Sequence, residues 1–195
     1  MRLVFATTSA GKAKEAKAVL KGVELVTLAD LGLDADIPET GATFRENARQ
    51  KLAGWRALVP SGPLLVDDAG LEVLALDGRP GVHSARYGAT AAEANARLLA
   101  EMEGVGVRTA RYVSVLALSI GNGCTLLWHA TCEGAILTEP RGEGGFGYDP
   151  LFFHPGLNKS LAEATLEEKA SVSHRGQALR RLAAWWAFWA PLQSA

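Results

Sequence analysis

Short apolar segments alternate along this chain with segments of helical spacing, and this alternation limits the available folds more than any other feature. Residues 3–6 form a dense apolar run that stops at a polar turn, residues 7–11. Beyond the turn, alanine, valine and leucine recur among lysines at helical spacing. A strand, a turn and a helix are therefore predicted at the start of the chain. Residues 23–28 and 64–66 are predicted as two further short strands.

A hairpin is predicted for the middle of the chain. Residues 112–120 and 124–136 are strand-like, and they flank Gly121, Asn122 and Gly123, a turn sequence that favours a hairpin. Because strands are interleaved with helices, the chain is predicted to be an α/β protein with a mixed sheet.

Helix starts are marked by a recurring Thr-x-x-Glu pattern, in which the threonine hydroxyl and the glutamate each satisfy a free backbone N–H group. The pattern begins at Thr43, Thr90 and Thr165, so three helices are predicted there. A last helix is predicted from about Ser173 toward Pro191. One stripe of this helix carries four large apolar residues, Leu182, Trp185, Trp186 and Trp189. Internal packing is the main interpretation of this stripe, and a subunit interface is the alternative.

The balance of charges bears on the partners of the protein. The chain has 195 residues, and 48% of them are hydrophobic, which fits one globular domain. Its 20 Lys and Arg residues and 21 Asp and Glu residues leave a formal net charge of −1. A surface that follows nucleic-acid phosphates normally carries a clear cationic excess, so no nucleic-acid partner is expected. An anionic small molecule would need a local basic pocket.

Cysteine usage and apolar run length bear on the cellular compartment. Cys124 and Cys132 form neither a CxxC pair nor a zinc-binding spacing with any histidine, as expected for a reduced, cytoplasmic chain. Residues 3–6 are too short for the core of a signal peptide, and no stretch approaches the ~18 apolar residues that cross a bilayer. Neither secretion nor a membrane partner is expected.

The turn after the first strand is a candidate anion site. It consists of Thr7, Thr8, Ser9, Ala10, Gly11 and Lys12. Free N–H groups at the start of the following helix favour a phosphate or a carboxylate, and the lysine would add a positive charge. An ordinary capped turn with a solvated lysine is the alternative.

Lys51 is the second basic candidate. On the helix that begins at Thr43 it shares a stripe with Phe44, Ala48 and Trp55, the face expected to turn inward. Lysine seldom occupies such a face without a partner. Either its stem packs while the ammonium reaches water, or the ammonium meets an anion in the interior.

Three carboxylates are candidates for holding a cation. Asp67 and Asp68 follow the predicted strand 64–66, and Glu39 lies in a loop. Neighbouring side chains of a regular strand face opposite sides, so both aspartates enter one cleft only if the strand ends there, as Ala69 and the glycine after it suggest. Hard oxygen ligands of this kind suit Mg²⁺. A solvated acidic turn is the alternative.

Two segments in the C-terminal half carry features of a ligand pocket. Residues 142–150 place four glycines around Phe146 and Tyr148, a composition that lets the backbone approach a flat ligand while a ring stacks on it. A turn-rich linker is the alternative. Farther along, Lys169 and the pair of His174 and Arg175 gather donors around the start of the last helix.

Several of these segments, taken in chain order, resemble the Ham1/RdgB family of inosine triphosphate pyrophosphatases. They are Thr7 to Lys12, Glu39 to Ala48, Asp67 to Leu71, Pro80 to Tyr87, Gly144 to Pro150 and Ser173 to Gly176. The resemblance implies an elongated, twisted mixed sheet with flanking helices, forming two lobes around a central cleft within one domain, residues 1–195. It also implies a homodimer and Mg²⁺-dependent hydrolysis of ITP, dITP and XTP to the monophosphate and pyrophosphate.

The resemblance assigns a role to each candidate. Glu39 and Asp68 become metal ligands, Asp68 also becomes the base that activates water, and Asp67 supports them. The residues assigned to the triphosphate are Thr7, Thr8, Ser9, Ala10, Gly11, Lys12 and Lys51. Those assigned to the base or to other substrate contacts are Ala69, Phe146, Gly147, Tyr148, Asp149, Lys169, His174 and Arg175.

The chain departs from the family pattern at two positions. Ser9 stands where asparagine is usual, and Ala69 stands where serine is usual. These changes affect one phosphate hydrogen bond and one substrate contact. Two alternative functions follow: a related pyrophosphatase that acts on other modified nucleotides, and a nucleotide-sensing module that binds without hydrolysis.

Overall fold

The computed structural model describes residues 1–121 and 123–193. Within them the chain forms a sheet with five α-helices around it. The strands are β1 (Arg2–Phe5), β2 (Glu24–Thr27), β3 (Leu64–Val73), β4 (Thr109–Ser119), β5 (Thr125–Ile136), β6 (Phe152–His154) and β7 (Lys159–Ser160). The helices are α1 (Ala10–Val19), α2 (Phe44–Leu58), α3 (Ala91–Glu101), α4 (Leu166–Val172) and α5 (His174–Leu192).

The sheet is mixed, as predicted. Its strand order is β2-β1-β3-β4-β5-β6-β7, in which β1 runs parallel to both β2 and β3 and the other pairs are antiparallel. The predicted hairpin is the β4–β5 pair, whose register runs from Thr109 opposite Ala135 to Ser119 opposite Thr125. Asn122 of the predicted turn lies outside the described residues.

The prediction that the third strand ends at Asp67 was wrong. Strand β3 continues to Val73, because β4 runs beside it and offers a pairing partner at every position from Leu64 to Val73. Both aspartates therefore lie inside a regular strand, and their side chains point to opposite sides of the sheet. The early strand end, on which a shared cleft was expected to depend, is therefore absent: Asp67 faces Arg175 and Asp68 faces Lys51.

The helix starts follow the predicted caps with one local difference. Complete capping boxes form at Thr43 and Thr165, while Ser173 caps α5 by accepting the Gly176 N–H. At Thr90 the hydroxyl accepts the N–H of Glu93, but the glutamate carboxylate accepts from the backbone of the residue before the cap. All three helices still begin where the pattern placed them.

Helices cover both faces of the sheet. Helix α2 packs Phe44, Leu52 and Trp55 against Val4, Val66 and Val115. Ala16 of α1 and Leu179, Leu182 and Trp186 of α5 join Leu3, Phe5, Leu65 and Leu116 in a second cluster. A third cluster contains Leu98 of α3 with Leu71, Tyr112, Tyr148 and Phe152. These three apolar clusters hold the sheet between the helices.

The tryptophan stripe of α5 packs mainly inside the protein. Leu182 and Trp186 are buried, while Trp185 and Trp189 are partly buried and stack on each other with ring centroids 5.0 Å apart. Trp128 of β5 lies 5.8 Å from Trp185. Internal packing thus accounts for the stripe. Among the described residues, no helix is both long enough and apolar enough to span a membrane.

Candidate active site

A cavity of about 400 Å³ opens between segments that are far apart in the chain. The predicted site residues that line it are Thr7, Thr8, Ser9, Lys12, Glu39, Lys51, Ala69, Phe146, Gly147, Tyr148, Asp149, Lys169, His174 and Arg175. Asp67 lines it as well. Of the other predicted residues, Ala10 and Gly11 lie at the start of α1 without lining the cavity, and Asp68 reaches it through its contact with Lys51.

The N-terminal turn forms one wall of the cavity. Strand β1 ends before it, and Ser9 caps α1 by accepting the N–H of Lys12 at 3.3 Å. Thr7 accepts the N–H of Ser9 at 3.1 Å, which shapes the turn. Lys12 Nζ lies 3.1 Å from Asp67 Oδ2. Burial lowers the pKa of Lys12, and the charge of Asp67 partly offsets this effect. The start of α1 thus combines free N–H groups with an ammonium at the cavity wall.

Lys51 turns inward from α2, as its helix stripe predicted. Its Nζ lies 2.7 Å from Asp68 Oδ1 and 2.9 Å from Glu39 Oε2, with 17% of the side chain exposed. Burial alone would lower its pKa, but the attraction and hydrogen bonds of the two carboxylates outweigh burial and raise the pKa. Lys51 is therefore a charged lysine that holds two carboxylates beside the cavity.

The loop that carries Glu39 is fixed to the same helix. Asn47 Oδ1 accepts the N–H of Gly41 at 2.8 Å, and Gln50 Oε1 accepts the N–H of Thr40 at 2.9 Å. Both acceptors belong to α2, the helix of Lys51. The contact between Glu39 and Lys51 therefore depends on a short loop folded back onto its own helix.

Asp68 has one oxygen free for further bonding. Oδ1 accepts from Lys51, whereas Oδ2 is buried and has no hydrogen-bond partner in residues 1–121 and 123–193. Burial raises the pKa of Asp68, and Lys51 only partly offsets it. A buried, unpaired carboxylate oxygen is costly unless a proton or a cation reaches it.

The two carboxylates fit a hard divalent cation. Glu39 and Asp68 each place an oxygen within 3 Å of Lys51 Nζ, so they converge on one region. In the described part of the chain, no three or more His, Cys, Asp or Glu side chains are grouped to hold a metal. Such a cation would thus take few protein ligands, as Mg²⁺ does when water and substrate phosphates complete its coordination.

Asp67 is a structural anchor, although it adjoins Asp68. Its side chain is fully buried and receives Arg175 Nε at 2.8 Å, Ser114 Oγ at 2.8 Å and Lys12 Nζ at 3.1 Å. Burial would raise its pKa, but Arg175 and Lys12 outweigh burial and hold the pKa well below its usual range. Asp67 therefore stays ionised and fixes the two cations.

Glu15 is an important residue that the sequence analysis missed. It is 2% exposed on α1, with Oε1 2.7 Å from Lys169 Nζ and Oε2 2.6 Å from Arg175 Nη1. These cations outweigh the effect of burial, and the pKa of Glu15 is lowered. Its position, three residues after Lys12 and four before Val19, placed it on one helix face with both. This spacing, which puts a carboxylate on the helix face of the candidate Lys12, was the signal in the sequence that could have pointed to Glu15.

The glycine-rich segment brings an aromatic ring against this charged cluster. Asp149 Oδ2 accepts the N–H of Phe146 at 2.7 Å and lies 2.5 Å from Lys169 Nζ. The Phe146 ring has Lys169 Nζ 4.3 Å from its centroid and the Arg175 guanidinium at 5.5 Å. Cations at these distances are attracted to the face of an aromatic ring.

Gly11 permits the close approach of this ring to α1. A Cβ atom at position 11 would overlap the Phe146 ring at Cδ1 and Cε1. The resemblance implies that a nucleobase stacks on this ring. Gly11→Ala is therefore expected to displace the ring and to weaken nucleotide binding by about tenfold, because aromatic contacts contribute ~0.5–1.5 kcal/mol. Titration calorimetry with ITP in EDTA would measure this.

Gly106→Ala is the matched control, because a Cβ there meets nothing within 4 Å. Helix propensity favours alanine over glycine by ~1 kcal/mol at position 11, so the fold should survive the substitution. Parent-like ITP affinity in Gly11→Ala would show that this ring position does not matter for binding.

His174 completes the aromatic end of the cavity. It stacks on Tyr112 with ring centroids 4.6 Å apart and an interplanar angle of 11°. Burial, helped by the charge of Arg175, lowers its pKa to about 3, so the imidazole is neutral at neutral pH. Its Nδ1 is buried and lacks a hydrogen-bond partner within the described residues. A neutral imidazole can donate one hydrogen bond and accept another.

Comparisons with known proteins agree with this arrangement. Relatives named dITP/XTP pyrophosphatase include one from Syntrophobacter fumaroxidans, 50% identical over 185 residues, covering 92% of this chain and 79% of the relative. Another, from Thermus thermophilus, is 50% identical over 188 residues, covering 93% of this chain and 90% of the relative.

Solved structures and a family model agree as well. The structure of a HAM1 protein from Coxiella burnetii superimposes with a TM-score of 0.84 at 36% identity, covering 96% of this chain and 98% of that one. The model of the Ham1 family matches residues 3–185. The ordered motifs, the fold and these likenesses lead to one conclusion: this chain belongs to the Ham1 family.

Proposed function

We propose that this protein hydrolyses non-standard purine nucleoside triphosphates, namely ITP, dITP and XTP, to the monophosphate and pyrophosphate. One observation carries the proposal: a single cavity joins a lysine and carboxylate cluster, around Lys51, to an aromatic pocket, around Phe146. A nucleotide has the same two parts, a polyanionic tail and a flat base. From the cysteine pattern we also propose that the enzyme acts in the cytoplasm, and from the resemblance that it is a homodimer.

The basic wall is suited to the triphosphate. Lys12, Lys51 and the free N–H groups at the start of α1 would neutralise part of the charge of the tail. The two lysines are already fixed by Asp67, Asp68 and Glu39 before substrate arrives. Fixed donors aimed at developing negative charge stabilise a transition state without reorganising.

Asp68 and Glu39 would hold Mg²⁺, and Asp68 would serve as the base. The buried, unpaired Oδ2 of Asp68 and the convergence of the two carboxylates support both roles. When bound, Mg²⁺ supplies positive charge that stabilises the pentavalent transition state. Asp68 accepts the proton of the water that attacks the α-phosphorus. Pyrophosphate then leaves as one unit.

The aromatic end offers an explanation for selecting the base. Phe146 would stack on the purine, and His174 and Arg175 would donate to a 6-keto oxygen. Adenine carries a 6-amino group, which cannot accept these hydrogen bonds and would leave buried donors unpaired. Such a mismatch can reduce kcat/KM by a large factor.

A panel of nucleoside triphosphates with product identification tests the proposal. With Mg²⁺, ITP and XTP are expected to give one pyrophosphate per nucleotide, ATP is expected to react far more slowly, and EDTA is expected to abolish turnover. A preference for modified pyrimidines would instead indicate a related pyrophosphatase. Orthophosphate as the first product, or binding of ITP without hydrolysis in a single turnover, would contradict the proposed reaction.

A further inference from the structure

The segment that carries Phe146 is held from a second side by a helix outside the charged cluster. Asn95 of α3 donates from Nδ2 to the carbonyl oxygen of Gly147 at 3.1 Å. Asn95 does not line the cavity. Its neighbour Ala94 is buried in the apolar cluster that also contains Tyr148, so α3 packs directly beneath this segment. Asn95 therefore contacts the pocket from behind.

The amide of Asn95 makes one favourable contact and leaves one oxygen unpaired. The Gly147 carbonyl only accepts hydrogen bonds, so the amide nitrogen must face it. This leaves Oδ1 of Asn95 buried without a partner in the part of the chain that the structure describes, which is unfavourable. Alanine would also be a better helix former at this position. The hydrogen bond to Gly147 therefore does little more than offset the unpaired oxygen, and stability alone does not explain an asparagine here.

Gly147 is the part of the segment that most needs to be held. Its φ is 63°, in the left-handed region that glycine enters without steric penalty and leaves as easily. It lies between Phe146, whose N–H is held by Asp149, and Tyr148, whose hydroxyl donates to the Ser84 carbonyl at 2.8 Å. The Gly147 carbonyl has only Asn95 to fix its direction among the hydrogen bonds of the described residues.

We propose that Asn95 is a positioning residue for the nucleobase. By fixing the Gly147 carbonyl, it sets the peptide plane between Gly147 and Tyr148 and so restricts Gly147, the flexible residue that directly follows Phe146. This restriction limits the directions that the Phe146 ring can take. The inference rests on the proposed function, because it assumes that the base binds against this ring. Asn95 touches no substrate and acts through Gly147.

Asn95→Ala tests the proposal by separating binding from stability. The variant is expected to raise KM for ITP by ~5–10-fold, which corresponds to one lost hydrogen bond, with kcat within about twofold of the parent. Inhibition by tripolyphosphate, which has no base, should not change. The melting temperature should change little, because the substitution removes the unpaired Oδ1 of Asn95 together with its hydrogen bond to Gly147. A purely structural role for Asn95 predicts instead a lower melting temperature.

Asn95→Asp is the second variant, because it keeps the shape and loses the donor, and it should share the KM defect. Ala96→Ser, an exposed change on the next residue of α3, is the matched control. Hydrogen exchange gives a readout that does not depend on activity. The peptide that covers residues 142–150 should exchange faster in both Asn95 variants, whereas the start of α1 should not change.

The outcomes distinguish this inference from the proposed function. If the parent hydrolyses ITP and the Asn95 variants keep its KM, the positioning role is wrong. If the parent does not hydrolyse ITP, the proposed function fails, and hydrogen exchange still decides whether Asn95 holds the segment. Parent-like exchange over residues 142–150 would overturn the inference in either case.

Discussion

Asp68→Asn is expected to reduce kcat for ITP by ~10²–10⁴-fold, the range typical for loss of a general base. The asparagine keeps the size of the side chain, so the pocket should retain its shape. It removes the group that accepts a proton and one of the two carboxylates that converge near Lys51. Binding of ITP in EDTA, measured by titration calorimetry, should match the parent or be tighter, because Lys51 loses a competing anion.

Glu72→Gln is the matched control for this prediction. Glu72 lies on the same strand and is ion-paired with Arg111 at 2.6 Å, away from the residues that line the cavity. The control should retain parent-like kcat and KM. If Asp68→Asn keeps full activity, Asp68 is not the base. If it loses ITP binding in EDTA, its role is to shape the pocket and not to activate water.

The sequence predicted the local structure well because local signals determine it. The caps at Thr43, Thr90 and Thr165 depend on residues within one helical turn, and the structure confirms the helices they start. The length of β3 does not depend on local signals. The acidic pair and the following glycine indicated an end, but pairing with β4, about 45 residues later, carried the strand through them.

The site shows the same division between local and distant effects. A helix stripe was enough to predict that Lys51 points inward, and the structure confirms this orientation. Its partner Glu39 could not be predicted, because their contact needs a loop to fold back onto α2. Glu15 was missed although its helix position was visible. Its partners Lys169 and Arg175 follow it by more than 150 residues, and only the fold brings them together.

The recognition of the Ham1 family from ordered motifs is confirmed. Composition alone did not indicate the family. The motifs did, because each combines a local backbone shape with a side chain that can react or bind. The structure places most of the assigned residues around one cavity. Their individual roles stay predictions, and the neighbouring aspartates of β3 offer the sharpest way to separate structural from catalytic roles.

Asp67→Asn is expected to destabilise the fold by ~3–5 kcal/mol, the range for removing one partner of a buried ion pair. Among the described residues, Arg175 and Lys12 would lose the one carboxylate that both contact, inside a cluster where the Asp67 side chain is fully buried. Domains of this size lose ~2–4 °C of melting temperature per kcal/mol, so Tm should fall by about 10 °C. Urea denaturation at pH 7 measures the free energy directly.

The pH dependence and the adjacent aspartate together test this explanation. Because the pKa of Asp67 is depressed in the folded state, its contribution is present above the unfolded value of ~3.9 and is lost as the pH falls below it. The difference in the free energy of unfolding between the parent and Asp67→Asn should therefore be largest at pH 7 and should decrease only in strong acid. Burial raises the pKa of Asp68, so its ionised form stabilises the fold less than the ionised form of Asp67 does. Asp68→Asn should therefore lower the free energy of unfolding only slightly. Equal destabilisation by both substitutions would contradict the division of roles, because it would mean that adjacent positions on β3 serve the same purpose.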